Sequence, residues 1–264
     1  MLTEAKNQLK ISLLSVKYAL MREMLNKVTF ITNILFMILN NASFIIEWII
    51  LYSVKDNIGG YTLDKVELLW GLAAGTYGVS RFFFKKSFEL SDIINKGMLD
   101  NYLVQPKNVL ISAITSDITV SAIGDLIYSY IMLFVSGVTF TKFVLFTILI
   151  ISGGLIVTGI SIILASLSFW FGKMDAICDI GDNLMINFAT YPEGIFKGIA
   201  KVILFTIVPV GISNYIPVRI ITKFNLKFLL INLIFTLFII TSAFYIFYKG
   251  LKKYSSGNLM IGRI

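Results

Sequence analysis

Residues 143–171 contain no charged side chain, and this feature limits the chain to few possible folds. A helix of about 20 apolar residues crosses the hydrocarbon core of a bilayer, which is about 30 Å thick. Further apolar segments of comparable character lie at 28–54, 66–84, 109–138, 195–213 and 228–248. The sequence therefore predicts an all-α polytopic membrane protein with six transmembrane spans in a single domain over residues 1–264.

The composition supports this fold class and excludes several functions. Hydrophobic residues make up 57% of the chain and charged residues 14%, whereas soluble domains have roughly 45–50% and about 25%. The chain has no histidine and a single cysteine, Cys178, which excludes disulfides, Cys/His zinc sites and His-activated nucleophiles. The net charge of +8 comes from cations at the ends of apolar segments, which indicates lipid headgroups rather than nucleic acid as the partner.

The first 27 residues precede the first span and have the pattern of an amphipathic helix. One stripe at helical spacing consists of Leu9, Leu13, Val16, Leu20 and Met24. A helix of this kind lies along a membrane surface. The alternative is a cytosolic extension of the first span.

The region from residue 172 to 217 is irregular. Asp175, Asp179 and Asp182 fall on one helical face, and Pro192 ends that pattern. Segment 195–213 is predicted as the fifth span, but Pro209 interrupts it, and a broken helix at membrane depth needs protein or a cavity around its free backbone groups. The residues after Pro209 either cross or re-enter.

The distribution of lysine and arginine predicts the orientation. With both termini in the cytosol, 17 of these residues, including Lys197, Lys201 and Arg263, lie inside, and 6, including Lys142 and Arg219, lie outside. This asymmetry follows the positive-inside rule. The predicted location is the cell membrane, with the bacterial cytoplasmic membrane as the expected one.

Two polar stripes run along predicted spans. Span one carries Asn33, Asn40, Ser43 and Glu47, and span three carries Asp117, Ser121, Asp125 and Tyr128. Intramembrane acids are costly and usually face protein, a cavity or a pathway. Two interpretations remain open: the stripes line a translocation pathway or proton-coupled site, or they fix helix packing by hydrogen bonds.

The sequence contains no match to the phosphate-binding loop G-x-x-x-x-G-K-[ST]. The nearest segment, 172–174, lacks the upstream glycine and the Ser/Thr after Lys173. We therefore expect no cofactor and no ATPase site in this chain. If ATP drives the protein, another polypeptide must bind ATP and Mg²⁺.

Residues 81–108 form a long polar connection with an amphipathic pattern that is predicted to stop at Gly97. Residues 97–106 read GMLDNYLVQP, which resembles the G-x-L-D-x-Y-L-x-x-P segment after span two in a six-span branch of the ABC-2-type permeases. The segments 191–196, 207–210 and 214–217 and the tail 250–257 resemble later parts of the same family, in the same order.

This resemblance implies the membrane subunit of an ATP-driven exporter, in which two permease protomers, identical or sibling, pair and each rests on a separate ATPase. It assigns 81–108 to ATPase coupling and 208–217 to an irregular element on the outer side. The implied coupling residues are Phe88, Glu89, Asp92, Ile93, Gly97, Leu99, Asp100, Tyr102, Leu103 and Pro106, and the implied outer residues are Pro209, Asn214, Tyr215 and Pro217.

We expect Phe88, Ile93 and Leu99 to fill a groove on the ATPase, with Glu89 and Asp92 pairing with its basic residues. Two other functions are compatible with the sequence: an ion-coupled secondary transporter acting without an ATPase, and a membrane-embedded enzyme or assembly scaffold. The sequence leaves the cargo open, because apolar pathway walls carry little ligand-specific chemistry.

Overall fold

The computed structural model describes residues 2–255. The protein is 79% helical, and the described residues form no β-strand. Ser256, Gly257 and Arg263, which belong to the predicted tail motif and orientation, lie outside this range. The helices are α1 (Leu2–Glu23), α2 (Lys27–Val54), α3 (Leu63–Phe83), α4 (Leu90–Asn95), α5 (Asp100–Leu103), α6 (Val109–Ile114), α7 (Ser121–Val135), α8 (Phe140–Ser166), α9 (Ser168–Phe171), α10 (Asp175–Ala189), α11 (Ile199–Thr206), α12 (Ile216–Thr222) and α13 (Leu226–Leu251).

Within the described range, three helical segments are long and apolar enough to cross a membrane. They are α2, the combined α8 and α9 (Phe140–Phe171), and α13. These segments overlap the predicted spans at 28–54, 143–171 and 228–248, because an uninterrupted apolar run of this length has few other stable environments.

Helix α3 lies at the centre of the bundle and overlaps the predicted span 66–84. Nearly every residue from Val66 to Ser80 is buried, and α3 packs against both α7 and α8. Small residues permit the close approach: a Cβ atom at Gly75 would collide with Ser129 Oγ of α7.

The segment predicted as the third span, 109–138, is not one continuous helix, because α6 ends at Ile114 and α7 begins only at Ser121. Other parts of the chain meet the polar groups of the break. The Ile118 N–H donates to Asp117 Oδ1 (2.9 Å), and the Thr119 N–H donates to the Arg81 carbonyl (3.1 Å). A helix can be interrupted where its free backbone groups find such partners.

The two ends of the bundle are distinguished by their loops. We call the end with residues 84–108 the Leu90 end, and the end with residues 55–62 the Tyr61 end. Helix α10 runs between them: Cys178 packs against the cluster that contains Leu90, and the Phe188 carbonyl accepts a hydrogen bond from Tyr215 near the opposite end. The chain therefore returns to the Tyr61 end through α10 rather than through the predicted span 195–213.

Residues 199–222 form a hairpin instead of a straight span. Helix α11 and the helical segment Gly211–Thr222 meet at an angle of 77°. Lys201 Nζ lies 2.8 Å from one oxygen of the buried Glu193 carboxylate, and Arg219 contacts the other oxygen. Both arms of the hairpin thus start and finish at the same end.

This shared carboxylate corrects the predicted orientation. Lys201 and Arg219 were assigned to opposite sides of the membrane, but two cations on one carboxylate cannot be so divided. Lys197, four residues before Lys201, is therefore assigned to the same side as Lys201. The charge asymmetry then changes from 17 against 6 to 15 against 8, with its sign unchanged.

The hairpin tip inserts among the helices and is held by polar contacts. A π-helix, Gly211–Tyr215, forms the tip after Pro209, and Pro217 lies in the first turn of α12. Asn214 and Tyr215 are buried. Asn232 Nδ2 of α13 donates to the Ile212 carbonyl (2.8 Å), so α13 meets a backbone group that the irregular geometry frees.

Helix α1 contacts the bundle by a face other than the predicted apolar stripe. Val16 and Ala19 pack against Ile118, and Gln8 Oε1 accepts a hydrogen bond from the Asn108 N–H (2.9 Å). Leu9 and Leu13 are more than half exposed. The stripe therefore faces away from the protein, except at Val16 and Leu20, which pack against Ile118 and its neighbours.

Candidate functional site

A cavity of about 310 Å³ lies among α2, α3, α7 and α10, and we call it the α2–α10 cavity. Its walls are Met37, Asn40, Asn41, Phe44, Glu47, Trp48, Trp70, Ala73, Ala74, Tyr77, Arg81, Ser121, Asp125, Ile186, Asn187, Thr190 and Tyr191. Aromatic rings, amides and charged groups alternate around this space.

Helical spacing brings the α2 side chains to the cavity. Asn40, Phe44 and Glu47 recur every three or four residues on one face. The adjacent Asn41 is buried, and its Nδ2 donates to Asp125 Oδ1 of α7 (2.7 Å). This bond ties α2 to α7 and fixes the Asp125 carboxylate at the cavity wall.

Helix α3 contributes one wall of the cavity, which contains both small and large side chains. Ala73 and Ala74 leave room between the larger Trp70 and Tyr77. The Trp70 ring stacks on Phe44 of α2 with centroids 5.5 Å apart. Offset aromatic pairs of this kind hold helices together while keeping flat apolar surfaces available.

Four buried polar atoms of α3 lack a hydrogen-bond partner among the described residues: Trp70 Nε1, Thr76 Oγ1, Tyr77 Oη and Arg81 Nε. Trp70 and Tyr77 are each only 8% exposed. Buried polar atoms without a partner are rare in native proteins. The Trp70 and Tyr77 side chains line the cavity.

Arg81 connects the cavity to the Leu90 end. Its guanidinium Nη2 donates to Asp182 Oδ2 of α10 (2.5 Å), and the same group lies over the Phe88 ring, 5.1 Å from the centroid. Asp182 belongs to the acidic helical face predicted from the sequence. Its partner, Arg81, lies on α3, about a hundred residues earlier in the chain.

The structure brings four of the sequence-predicted stripe residues together and separates the others. Asn40, Glu47, Ser121 and Asp125 line the α2–α10 cavity. Asn33 is exposed elsewhere on α2, Tyr128 is buried outside the cavity, and Asp117 lies in the break between α6 and α7. Sequence reasoning missed Asn41, Tyr77, Arg81 and Asn187, and only Asn41, beside Asn40, carried a visible signal.

Asp117 is the centre of an ion-pair cluster at the Leu90 end. Its carboxylate accepts hydrogen bonds from Arg22 of α1 (2.6 Å) and Lys85 (2.7 Å). The Ile118 N–H also donates to this carboxylate (2.9 Å). The group is thus a fixed anion that joins α1 to residues 84–108.

Residues 84–108 pack onto the bundle by one face. Ile93 and Leu99 are buried in a cluster with Ile162 of α8 and Phe247 of α13. Gly97 has φ +71° and follows the end of α4, at the predicted stop. The predicted coupling residues Phe88, Glu89, Asp92, Asp100 and Tyr102 are half-buried, whereas Leu103 and Pro106 are exposed.

The expectation that Ile93 and Leu99 fill a groove on a partner is therefore wrong. Their side chains already fill the protein's own core, with exposures of 4% and 0%. Phe88 is half-buried and covered by Arg81. The apolar side chains that face outward here are Met98, Leu103 and Val104.

Among the described residues, no group of three or more acidic or cysteine side chains could hold a metal ion. A protein-family model described as "ABC-2 family transporter protein" matches residues 14–257. No curated protein and no solved structure matches the chain.

Proposed function

Because the chain belongs to the ABC-2 family of transporter proteins, we propose that it is the permease subunit of an ATP-driven exporter whose energy comes from a separate ATPase. Membership supports a permease of an ABC-type transporter, and the family implies a partner ATPase in general. The cargo passes through the membrane domain, and ATP and Mg²⁺ are bound by the partner.

We propose six crossings, formed by α2, α3, α6 with α7, α8 with α9, α10 and α13. The hairpin at 199–222 re-enters from the outer side. The excess of cations, 15 against 8, supports a cytosolic Leu90 end. Both described chain ends then lie in or near the cytosol, and the exposed stripe of α1 faces lipid headgroups.

The observation that carries the proposal is the two-sided packing of residues 84–108. The inner face is fixed to α8 and α13 through Ile93 and Leu99. The outer face presents Met98, Leu103 and Val104, and Val104 is 84% exposed. A segment rigidly joined to the spans and apolar on its free side can transmit the motion of a docked ATPase.

Alanine substitution at the outer face tests this assignment. Truncating an interface anchor commonly costs about 2 kcal/mol or more, so we expect Leu103→Ala/Val104→Ala to lose the co-expressed ATPase on purification and to lose ATP-dependent export. Lys96→Ala, on the same segment, is the matched control and should keep both. Wild-type ATPase retention and export by the double variant would contradict the coupling role.

The purified permease alone should show no ATP hydrolysis, since it lacks a phosphate-binding loop. Cargo transport by the permease in the absence of the ATPase would instead favour the ion-coupled secondary transporter. That alternative draws less support from the structure, because Asp117 lies in an ion-pair cluster and Asp125 is bonded to Asn41.

The proposed topology is tested by cysteine labelling from outside in a Cys178→Ala background. Cysteines at positions 142 and 201 should react with an impermeant reagent, and a cysteine at position 252 should not. Protection of position 201 together with labelling of 252 would reverse the orientation.

We also propose that two protomers, identical or sibling, pair through a surface that includes α2. Only 17% of its most apolar window is buried within one chain, and Asn33 remains exposed. A polar side chain is better accommodated against protein than against lipid tails. Cross-linking between cysteines at position 33 in membranes tests this pairing.

A further inference from the structure

The α2–α10 cavity has hydrogen-bonding groups that the described part of the protein does not satisfy. Trp70 Nε1 can only donate, and Tyr77 Oη can donate or accept. Both are unpaired there, and both side chains are more than nine-tenths buried. Because native proteins rarely leave such groups unmet, the cavity is suited to a molecule that enters it.

The charges around the cavity identify the sign of that molecule. Glu47 lines the cavity, is exposed, and takes part in no salt bridge among the described residues. Asp125 accepts only the neutral amide of Asn41, and Arg81 is neutralised by Asp182. Carboxylates therefore outnumber the guanidinium, and the field in the cavity favours a cation.

The rings around the cavity favour the same ligand. Phe44, Trp48, Trp70 and Tyr191 present aromatic surfaces, and Trp48 meets Tyr191 edge to face at 5.9 Å. Aromatic faces attract ammonium groups and also bury apolar carbon. A volume of about 310 Å³ lies at the small end of the range for organic ligands, about 300–1,000 Å³.

We propose that the α2–α10 cavity binds an organic cation whose aromatic or apolar body carries a hydrogen-bond acceptor, with its amine or quaternary ammonium group beside Glu47, its body against Trp70 and Phe44, and its acceptor available to Trp70 Nε1. This inference rests on the proposed function in one respect: it names the substrate class of the exporter. Binding itself requires neither ATP nor the ATPase.

The test uses tyramine and 4-hydroxyphenylacetate, which share a phenol ring that can accept a hydrogen bond from Trp70 Nε1 and which differ in charge. Isothermal titration calorimetry with the purified full-length permease in detergent should give binding of the cation and at least tenfold weaker binding of the anion. Glu47→Gln should weaken cation binding about tenfold, equivalent to about 1.4 kcal/mol. Asp56→Asn, which removes a carboxylate from the exposed loop at the Tyr61 end, should leave it unchanged.

Trp70→Phe provides a second variant that keeps the ring and removes the indole N–H, and it should weaken cation binding several-fold. Equal affinity for the two probes, or equal effects of Glu47→Gln and Asp56→Asn, would overturn the inference. So would loss of protomer pairing in Glu47→Gln without any cation binding in the wild type, which would assign Glu47 to a partner protomer's basic side chain. ATPase co-purification, measured on the same preparations, reports on the proposed function separately.

Discussion

The Leu90 end and the α2–α10 cavity differ in whether their polar side chains have hydrogen-bond or ion-pair partners. At the Leu90 end, Lys85, Lys86 and Lys96 each contact a carboxylate, and apolar side chains beneath them are fully buried. In the cavity, the buried Trp70 and Tyr77 have polar atoms without partners in the described chain.

The Leu90 end is therefore suited to rigidity, whereas the α2–α10 cavity is suited to binding a ligand. Satisfied ion pairs and a packed core resist deformation, which suits a segment that transmits force. Unmet donors cost stability in the free protein and are retained where a ligand completes them. The following substitutions test each side of the contrast.

We expect Leu99→Ala to cause the largest loss of stability. Leu99 is fully buried between residues 84–108 and the bundle, and removing a buried leucine side chain typically costs about 2–5 kcal/mol. Leu103→Ala, on the exposed side of the same segment, should change stability by less than about 0.5 kcal/mol. Thermal unfolding of both variants in detergent measures the difference, and equal melting temperatures would show that the segment is not fixed to the spans.

Asp117→Asn should have the next largest effect. The substitution removes the charge that Arg22 and Lys85 share, and we expect a loss of about 1 kcal/mol, because Arg22 is largely exposed. Proteolysis at residues 24–26 should accelerate in the variant at neutral pH, and an unchanged rate would mean that α1 is held without this cluster.

Tyr77→Phe should be neutral or stabilising by up to about 1 kcal/mol, since the hydroxyl it removes is buried without a partner. Tyr52→Phe is the matched control. Tyr52 Oη donates to the Tyr61 carbonyl (2.8 Å), and its removal should cost about 1 kcal/mol. If Tyr77→Phe destabilises the protein as much as Tyr52→Phe does, the cavity has no unmet hydroxyl and the contrast fails.

We expect Lys96→Ala to cause the smallest change in stability. Lys96 Nζ lies 2.7 Å from Asp92 one helical turn away, but both side chains are well exposed, and surface pairs of this type contribute little. We expect no measurable shift in melting temperature. A shift larger than that of Leu99→Ala would show that the charges of the Leu90 end stabilise the fold more than its apolar cluster does.

The sequence predicted the elements whose environment is set locally. Spans at α2, α8 and α13 follow from apolar length alone, and the end of α4 follows from Gly97. The recurrence of Asn40 and Glu47 on one helical face placed both residues correctly along a common surface, because helical periodicity needs no knowledge of other segments.

The sequence could not predict features that depend on distant partners. Next to the break after Ile114, Asp117 pairs with Arg22, far earlier in the chain, and Asp182 of α10 pairs with Arg81 of α3. Apolar content alone made 195–213 look like a span and left α10, whose three acids were predicted to share a helical face, out of the predicted spans. The cavity likewise depends on four helices that meet only in the fold.

Helix α10 has 15 residues, which corresponds to a length of about 22 Å. It lines the α2–α10 cavity, and in the proposed topology it crosses a hydrocarbon layer of about 30 Å. The bilayer must therefore thin beside it or the helix must draw polar flanking residues inward, and either response costs energy in proportion to the mismatch. The same cavity should consequently be sensitive to lipid chain length, with cation binding and transport stronger in short-chain than in long-chain bilayers.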